Sequence, residues 1–132
     1  SDGIPQFGFA CAGFEKTNEP SDAAVGDDEI SWSVDGQREL LWHRGEPIPW
    51  NSTWSAGDVI GLAANVDAGK IAVTKNGICL GVVFESEGIK AGIFPAYSCI
   101  GYKLRYNLDG DTHGPFRHTP PPSEIWARAA LV

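Results

Sequence analysis

Apolar and polar residues alternate most regularly between residues 57 and 84, where the pattern predicts three successive β-strands joined by two tight turns. Asn76 and Gly77 give the firmest turn signal, because both central residues of a type I′ turn need a positive φ. Asn tolerates that conformation and Gly adopts it freely. Counting outward from this turn pairs Lys75 with Ile78 and places the apolar residues of all three strands on one buried face.

Three further pairings follow from the same count. Val73 should oppose Leu80, and Ile71 should oppose Val82 in the second hairpin strand. Across the preceding turn, Val66 should oppose Ile71. A slip of one residue would turn these side chains to solvent, so the apolar pattern specifies the register.

Shorter alternating runs outside this region predict more strands, at residues 4–12, 30–34, 38–43, 93–99 and 102–107. Asp35 and Gly36 form a second hairpin turn signal. Segments 13–29 and 44–56 lose periodicity and are predicted as loops. Many short strands with almost no helix indicate an all-β, antiparallel two-sheet β-sandwich over residues 1–122. Residues 123–132 would be a C-terminal extension, with Ser123 capping a short helix.

Composition limits the class of protein. At 132 residues the chain is one domain, large enough to bury a core without disulfide bonds. Three cysteines cannot all pair within one chain, which indicates a reducing intracellular compartment, cytoplasmic or nuclear. The chain contains no Met, so we expect it to be part of a longer or processed protein.

The charge balance narrows the possible partners. A formal net charge of −7 disfavours nucleic acid, which is bound through clustered Lys and Arg. No apolar run approaches the roughly 20 residues of a membrane-spanning helix, so we expect no membrane insertion. The remaining partner class is a protein or a peptide.

Signals for catalysis or metal binding are weak. His43, His113 and His118 have no Ser or Cys in a nucleophile motif. Asn107, Asp109 and Asp111 have the spacing of the first calcium-loop ligands, but the turn glycine and the final acid of such a loop are missing. We therefore expect no catalytic residue, no metal and no cofactor.

Several short motifs occur in an order that resembles the SPRY domain family. They are Gly-Asp-Val-Ile-Gly at 57–61, Asn-Gly at 76–77 with Leu-Gly-Val-Val-Phe at 80–84, and Phe-Pro-Ala at 94–96. Ser-Trp-Ser-Val-Asp-Gly at 31–36 and Pro-Phe at 115–116 resemble the flanking motifs. The resemblance implies a concanavalin-like, jelly-roll sandwich that is a non-enzymatic protein-interaction module, with binding loops at one edge.

The same resemblance suggests an incomplete sheet. SPRY domains usually have strands before the one that matches residues 7–11, and the chain lacks them. We expect this N-terminal edge to be completed by another segment or subunit, because an open edge pairs readily with another chain.

Binding is predicted on loops 13–29, 43–55 and 97–102, within a larger intracellular protein. Acidic residues there would steer a basic partner or keep a loop soluble, and loop aromatics would anchor a partner or cap the sandwich. The candidate contact residues are Asp22, Val25, Asp27, Trp50, Trp54, Tyr97, Ile100 and Tyr102. A carbohydrate-binding sandwich using Trp50 and Trp54, and a purely structural packing domain, remain as alternatives. Trp32, Trp42, Phe84 and Phe94 are predicted to be core residues.

Overall fold

The structure, a computed structural model, describes residues 4–14, 24–99, 103–112 and 114–132. The strands are β1 (Gln6–Ala10), β2 (Ser31–Asp35), β3 (Leu40–His43), β4 (Glu46–Pro49), β5 (Ile60–Asn65), β6 (Lys70–Lys75), β7 (Ile78–Glu85) and β8 (Phe94–Ser98). Two 3₁₀ helices span Glu87–Ala91 and Ser123–Ala127. None of the helices in these ranges is long and apolar enough to cross a membrane.

The strands form two antiparallel sheets, with the orders β4-β3-β2-β1-β8 and β5-β6-β7. Alternate residues of each sheet point between the layers, so both sheets contribute to one apolar core. The five-stranded sheet contributes Trp32 and Leu41, and the three-stranded sheet contributes Ile71, Val73 and Phe84. The predicted all-β two-sheet sandwich is confirmed.

The β6–β7 hairpin forms as its turn chemistry predicts. Asn76 has φ 51° and Gly77 has φ 82°, as a type I′ turn requires, and Lys75 pairs with Ile78. The Asn76 side chain also accepts a hydrogen bond from the backbone N–H of Val59 (2.8 Å). Asn76 therefore closes the β6–β7 hairpin and also binds the residue directly before β5.

Beyond the turn, two irregularities change the predicted register. Val73 pairs with Gly81 instead of Leu80, and Ile71 pairs with Phe84 instead of Val82. Each irregularity inserts one extra residue into β7, which is the effect of a β-bulge. Val82 consequently points away from the main core, into a small cluster on the outer face of the sheet.

The β5–β6 pairing also differs from the prediction. Ile71 opposes Ala64, while Val66 lies in the connecting turn and is 37% exposed. The difference is two residues, and strand side chains repeat with a period of two. The apolar face of β5 is therefore the predicted one.

The predicted loop 44–56 contains strand β4, so the prediction was wrong there. Arg44 (φ 60°) and Gly45 (φ 71°) form the turn that leads into β4. Pro47 and Pro49 obscured this strand because proline cannot donate to a β-ladder. They are tolerated because β4 is the edge of its sheet.

Two predictions near the C-terminal end were also wrong. Residues 103–107 form no strand. Phe94 lies on an edge strand and is 61% exposed, although its alternation suggested a core position. Among the other predicted core aromatics, Trp32 and Phe84 are buried, whereas Trp42 is half-buried.

Strand β1 is not an open edge. It pairs with β2 on one side and with β8 on the other, so its backbone groups have neighbours within the chain. The expectation that the strand at residues 7–11 needs another segment or subunit was therefore wrong. In this sheet the edge strands are β4 and β8.

Residues 123–132 pack against the three-stranded sheet. Ile125 is buried against Ala72 and Val82, and the N–H groups of Leu131 and Val132 donate to β7 carbonyl groups. The short helix has Pro122 at its N-cap, not Ser123, and no side-chain cap. The boundary at residue 122 stays a prediction.

The cysteines are free thiols at Cys11, Cys79 and Cys99. Burial raises the pKa of the Cys11 and Cys99 thiols, and the charge of Asp28 adds to the effect at Cys11. Both thiols therefore carry less of the reactive thiolate than an ordinary cysteine.

Candidate functional site

The outer face of β2 is polar and buried. Trp32 and Val34 point into the core, so Ser31, Ser33 and Asp35 lie on the opposite side of the sheet. These three residues are nevertheless at most 1% exposed. Buried polar side chains need hydrogen-bond partners, and here the partners come from the loop 24–30, from Gln6 and from the β2–β3 turn.

The loop 24–30 is attached to β2 by short hydrogen bonds. Ser33 Oγ donates to the Val25 carbonyl (2.7 Å), and the Gly26 N–H donates to Ser31 Oγ (2.8 Å). Ser31 Oγ donates in turn to Asp28 Oδ1 (2.6 Å). A Cβ on Gly26 would lie 2.6 Å from Ser33 Oγ, so the close approach of the loop requires glycine there.

Asp35 holds the β2–β3 turn together. Its buried carboxylate accepts hydrogen bonds from the backbone N–H groups of Gln37 (3.1 Å) and Arg38 (2.9 Å). It also accepts the Arg38 Nε–H at 2.6 Å, which makes a short ion pair. A buried carboxylate with these partners fixes the position of the arginine.

Arg38 is presented at the surface by this pairing. Its guanidinium carbon lies 5.1 Å from the centre of the Trp42 ring, within cation–π range, and its side chain is 30% exposed. Asp35 takes only the Nε–H, and the two terminal nitrogens of Arg38 donate to no acceptor in the part of the chain that the structure describes. These nitrogens are therefore available to a bound group.

Gln6, Asp27, Arg38 and Trp42 line one cavity of about 300 Å³. Asp27 is exposed, and its Oδ2 accepts the Ala24 N–H at 2.8 Å. From the described residues the cavity thus has a cation, a carboxylate, an amide and an aromatic ring, and none of its described lining residues is Ser, Cys or His. This set of groups suits recognition of a polar ligand. We call the cavity the β2 pocket.

Within the described ranges no group of three His, Cys, Asp or Glu side chains could hold a metal ion. In the turn that resembles a calcium loop, side-chain oxygens of Asn107 and Asp109 already accept backbone hydrogen bonds. Asp109 Oδ1 accepts the N–H groups of Asp111 and Thr112, and Asn107 Oδ1 accepts the Gly110 N–H. The Asn107 and Asp109 side chains therefore stabilise a turn of the chain.

The predicted contact residues lie in different places. Asp27 lines the β2 pocket. Val25, in the same loop 24–30, is fully buried. Tyr97 is 56% exposed on the edge strand β8 and is not among the residues that line the pocket. The predicted contacts Asp22, Ile100 and Tyr102 lie outside the described residues. Direct binding by any of these residues stays a prediction.

Trp50 and Trp54 belong to an aromatic group at the end of the sandwich. Trp54 stacks on Phe7 with ring centres 5.6 Å apart and meets Trp50 edge-on at 6.0 Å. Trp50 is only 5% exposed and Trp54 is half-buried against Gly36. Both residues cover the core.

Sequence reasoning missed Gln6, Arg38 and Trp42. They come from three separate elements, and their meeting depends on how β1, β2 and β3 pair. Two signals were present in the sequence. Gln6 is a polar residue in an otherwise apolar strand, and Ser33 and Asp35 alternate with the apolar residues Trp32 and Val34.

Comparison with known sequences identifies the family. The profile of the SPRY domain matches residues 1–111. The chain belongs to the SPRY domain family. SPRY domains are generally non-catalytic interaction modules, in keeping with the lining of the β2 pocket. The chain is similar to the E3 ubiquitin-protein ligase RKP of Arabidopsis thaliana, at 31% identity over 121 residues. That match covers 82% of the chain and 9% of the ligase.

Proposed function

We propose that this SPRY domain binds a partner protein or peptide through the β2 pocket and the loop beside it, as a recognition module of a larger intracellular protein. The observation that supports this most is the arrangement of Arg38. A buried carboxylate holds the guanidinium on Trp42 while leaving its terminal nitrogens open to the cavity. A hydrogen-bonding group held in place before binding loses little entropy when a ligand arrives.

The surroundings of the pocket favour a protein partner. The loop 24–30 and the β2–β3 turn project beside the cavity and are backed by a packed sandwich. Loops on a rigid scaffold are frequent binding elements, and a Trp and an Arg are frequent centres of binding energy. Neither side chain is sealed in the core, so both can be reached by a ligand.

The carbohydrate-binding alternative has less support. It needed Trp50 and Trp54 to stack on a sugar ring. Trp50 is 5% exposed, and Phe7 stacks on Trp54 at 5.6 Å. Trp50 also lines a cavity of about 320 Å³ with Pro49, Asn51 and Leu131, but little of this residue is exposed for a sugar to stack on. The packing-only alternative predicts that the outer surface near Arg38 contacts only the domain's own polypeptide.

The similarity to RKP suggests a setting for the module. By that likeness we infer that the domain is one part of a longer chain and selects the protein on which the longer chain acts. The domain itself would supply binding and no chemistry. A cytoplasmic or nuclear location is proposed on the same basis, together with the free cysteines.

Site-specific photo-crosslinking in the full-length protein tests this function. A photo-crosslinking amino acid at Glu29, exposed beside the pocket, should capture a second protein in intact cells. The same amino acid at Glu124, exposed on the opposite sheet, serves as the matched control and should capture far less. Equal capture at both positions, or crosslinks from position 29 only to the same polypeptide, would contradict the proposal.

A further inference from the structure

Gln6 is almost entirely buried but does not use its whole amide. The residue is 2% exposed, and its Nε2 donates to the Val25 carbonyl at 3.2 Å and to Ser33 Oγ at 3.4 Å. A backbone carbonyl can only accept, so the nitrogen must face Val25. This partner fixes which way the amide is turned, a choice that the amide's shape alone leaves open.

The carbonyl oxygen of Gln6 therefore faces the other way. Within the described residues it accepts no hydrogen bond. Among their buried side-chain nitrogen and oxygen atoms, only Trp32 Nε1 is both sealed from solvent and unpartnered. Gln6 Oε1 is therefore not sealed from solvent, and Gln6 is one of the residues that line the β2 pocket. A 98% buried residue thus carries one acceptor that the described residues leave unused.

Asp27 supplies the second acceptor. Its Oδ2 accepts the Ala24 N–H, and Oδ1 has no partner in the described ranges. Arg38 is also in the cavity, but the Asp35 carboxylate at 2.6 Å offsets its charge. Counted together, Asp27, Asp35 and Arg38 carry one net negative charge, with Asp35 buried behind the pocket. The chain as a whole carries −7, so its field attracts positive groups.

We propose that the β2 pocket takes a basic side chain, Lys or Arg, from the partner peptide. Its ammonium or guanidinium group donates to Gln6 Oε1 and Asp27 Oδ1. An apolar side chain would leave both acceptors without a donor. An acidic side chain could pair with the Arg38 terminal nitrogens, but it would be repelled by Asp27 and would leave Gln6 Oε1 without a donor. The inference deepens the proposed function and rests on it.

The test begins with a display library of random peptides of about twelve residues, selected on the immobilised chain. Selected peptides should share a Lys or Arg. Replacing that residue with norleucine, which keeps the aliphatic stem, should weaken binding about tenfold or more, as expected for loss of a charge-assisted hydrogen bond. This substitution leaves the protein unchanged, so misfolding cannot produce the result.

Two protein variants complete the test. Asp27→Asn keeps an oxygen for the Ala24 N–H but removes the charge, and should weaken binding about tenfold. Glu29→Gln makes the same charge change in the same loop, at a residue that does not line the pocket, and should change affinity less than about twofold. Raising the salt concentration should weaken binding to the unaltered chain more than binding to Asp27→Asn.

The outcomes separate this inference from the proposed function. Equal effects of Asp27→Asn and Glu29→Gln would overturn the basic-residue inference, as would full affinity of the norleucine peptide. Peptides that lack a basic residue but lose affinity with Trp42→Ala would also overturn it, while supporting the pocket as the binding site. Failure to select any peptide would overturn it as well, and the crosslinking at Glu29 would then decide the proposed function alone.

Discussion

The outer face of the five-stranded sheet and the outer face of the three-stranded sheet are both covered, but by different chemistry. The first is covered by the loop 24–30 through hydrogen bonds to Ser31 and Ser33. The second is covered by the second 3₁₀ helix through an apolar cluster centred on Val82 and Ile125. Both coverings bury side chains, and at the margin of the polar one Gln6 and Arg38 keep hydrogen-bonding groups that no described residue uses.

The difference suggests how the domain divides stability from recognition. An apolar cluster is complete once its surfaces are in contact, and it presents nothing directional to a partner. A polar network holds its members in fixed orientations, so unused groups such as Gln6 Oε1 and the terminal nitrogens of Arg38 are already aimed. We therefore propose that binding takes place on the five-stranded sheet and that the other outer face has a structural role.

The largest effect on stability should come from Asp35→Ala. The substitution removes the acceptor for two backbone N–H groups and for Arg38 Nε, and we expect a loss of about 3 kcal/mol in the free energy of unfolding. Urea unfolding measures it. An unchanged urea midpoint would show that the hydrogen bonds of Asp35 do not stabilise the domain.

Ile125→Ala should have the next largest effect. Ile125 is 1% exposed against Ala72 and Val82, and its truncation leaves a cavity that costs about 2 kcal/mol. Because the pocket is on the other sheet, partner affinity should not change. A stable variant that loses affinity would contradict the separation of the two faces.

Ser33→Ala should cost about 1 kcal/mol, because the buried hydrogen bond to the Val25 carbonyl and the longer one from Gln6 Nε2 are lost, while Gln6 still donates to the Val25 carbonyl. The loop should loosen without the sandwich unfolding. Faster amide hydrogen exchange in residues 24–30, with unchanged exchange in β6, would demonstrate this. Faster exchange throughout the chain would mean that the loop is part of the folding core.

Asp58 lies away from both outer coverings and gives the smallest expected effect. A hydrogen bond from Asn76 and then one from the Ser55 N–H lower the pKa of its carboxyl group. A folded-state pKa below the ordinary aspartate value stabilises the folded protein at every pH above that ordinary value. This stabilisation is lost as the pH falls through the folded-state pKa. Asp58→Asn should make the loss of stability between about pH 5 and pH 3 shallower than in the unaltered chain. If both proteins lost stability equally as the pH falls, the role of these hydrogen bonds would be contradicted.

Local chemistry made part of the fold predictable from the sequence. The turn at Asn76 and Gly77, the alternation in β2 and the apolar face of β5 depend on a few neighbouring residues, and all were confirmed. The bulges in β7 were not predictable, because the sequence does not indicate which of two adjacent residues is left unpaired in the strand. Strand β4 was missed because its prolines suggested a loop.

The candidate site was less predictable than the fold. Asp27 stood out because it is acidic and lies in a loop. The function of Gln6 depends on the partner of each end of its amide, and that of Arg38 depends on a buried carboxylate. The Gln6 pairing arises only when segments distant in sequence become neighbours. Asp35 and Arg38 are three residues apart, but the pattern along the chain does not show that Asp35 is buried.

The most direct test of the account is amide hydrogen exchange of the domain with and without its bound partner or selected peptide. The account predicts slower exchange on binding in residues 24–30 and 36–39, around the β2 pocket, and unchanged exchange in residues 123–132. Slower exchange confined to residues 123–132 would place binding on the apolar-covered face and would contradict the account.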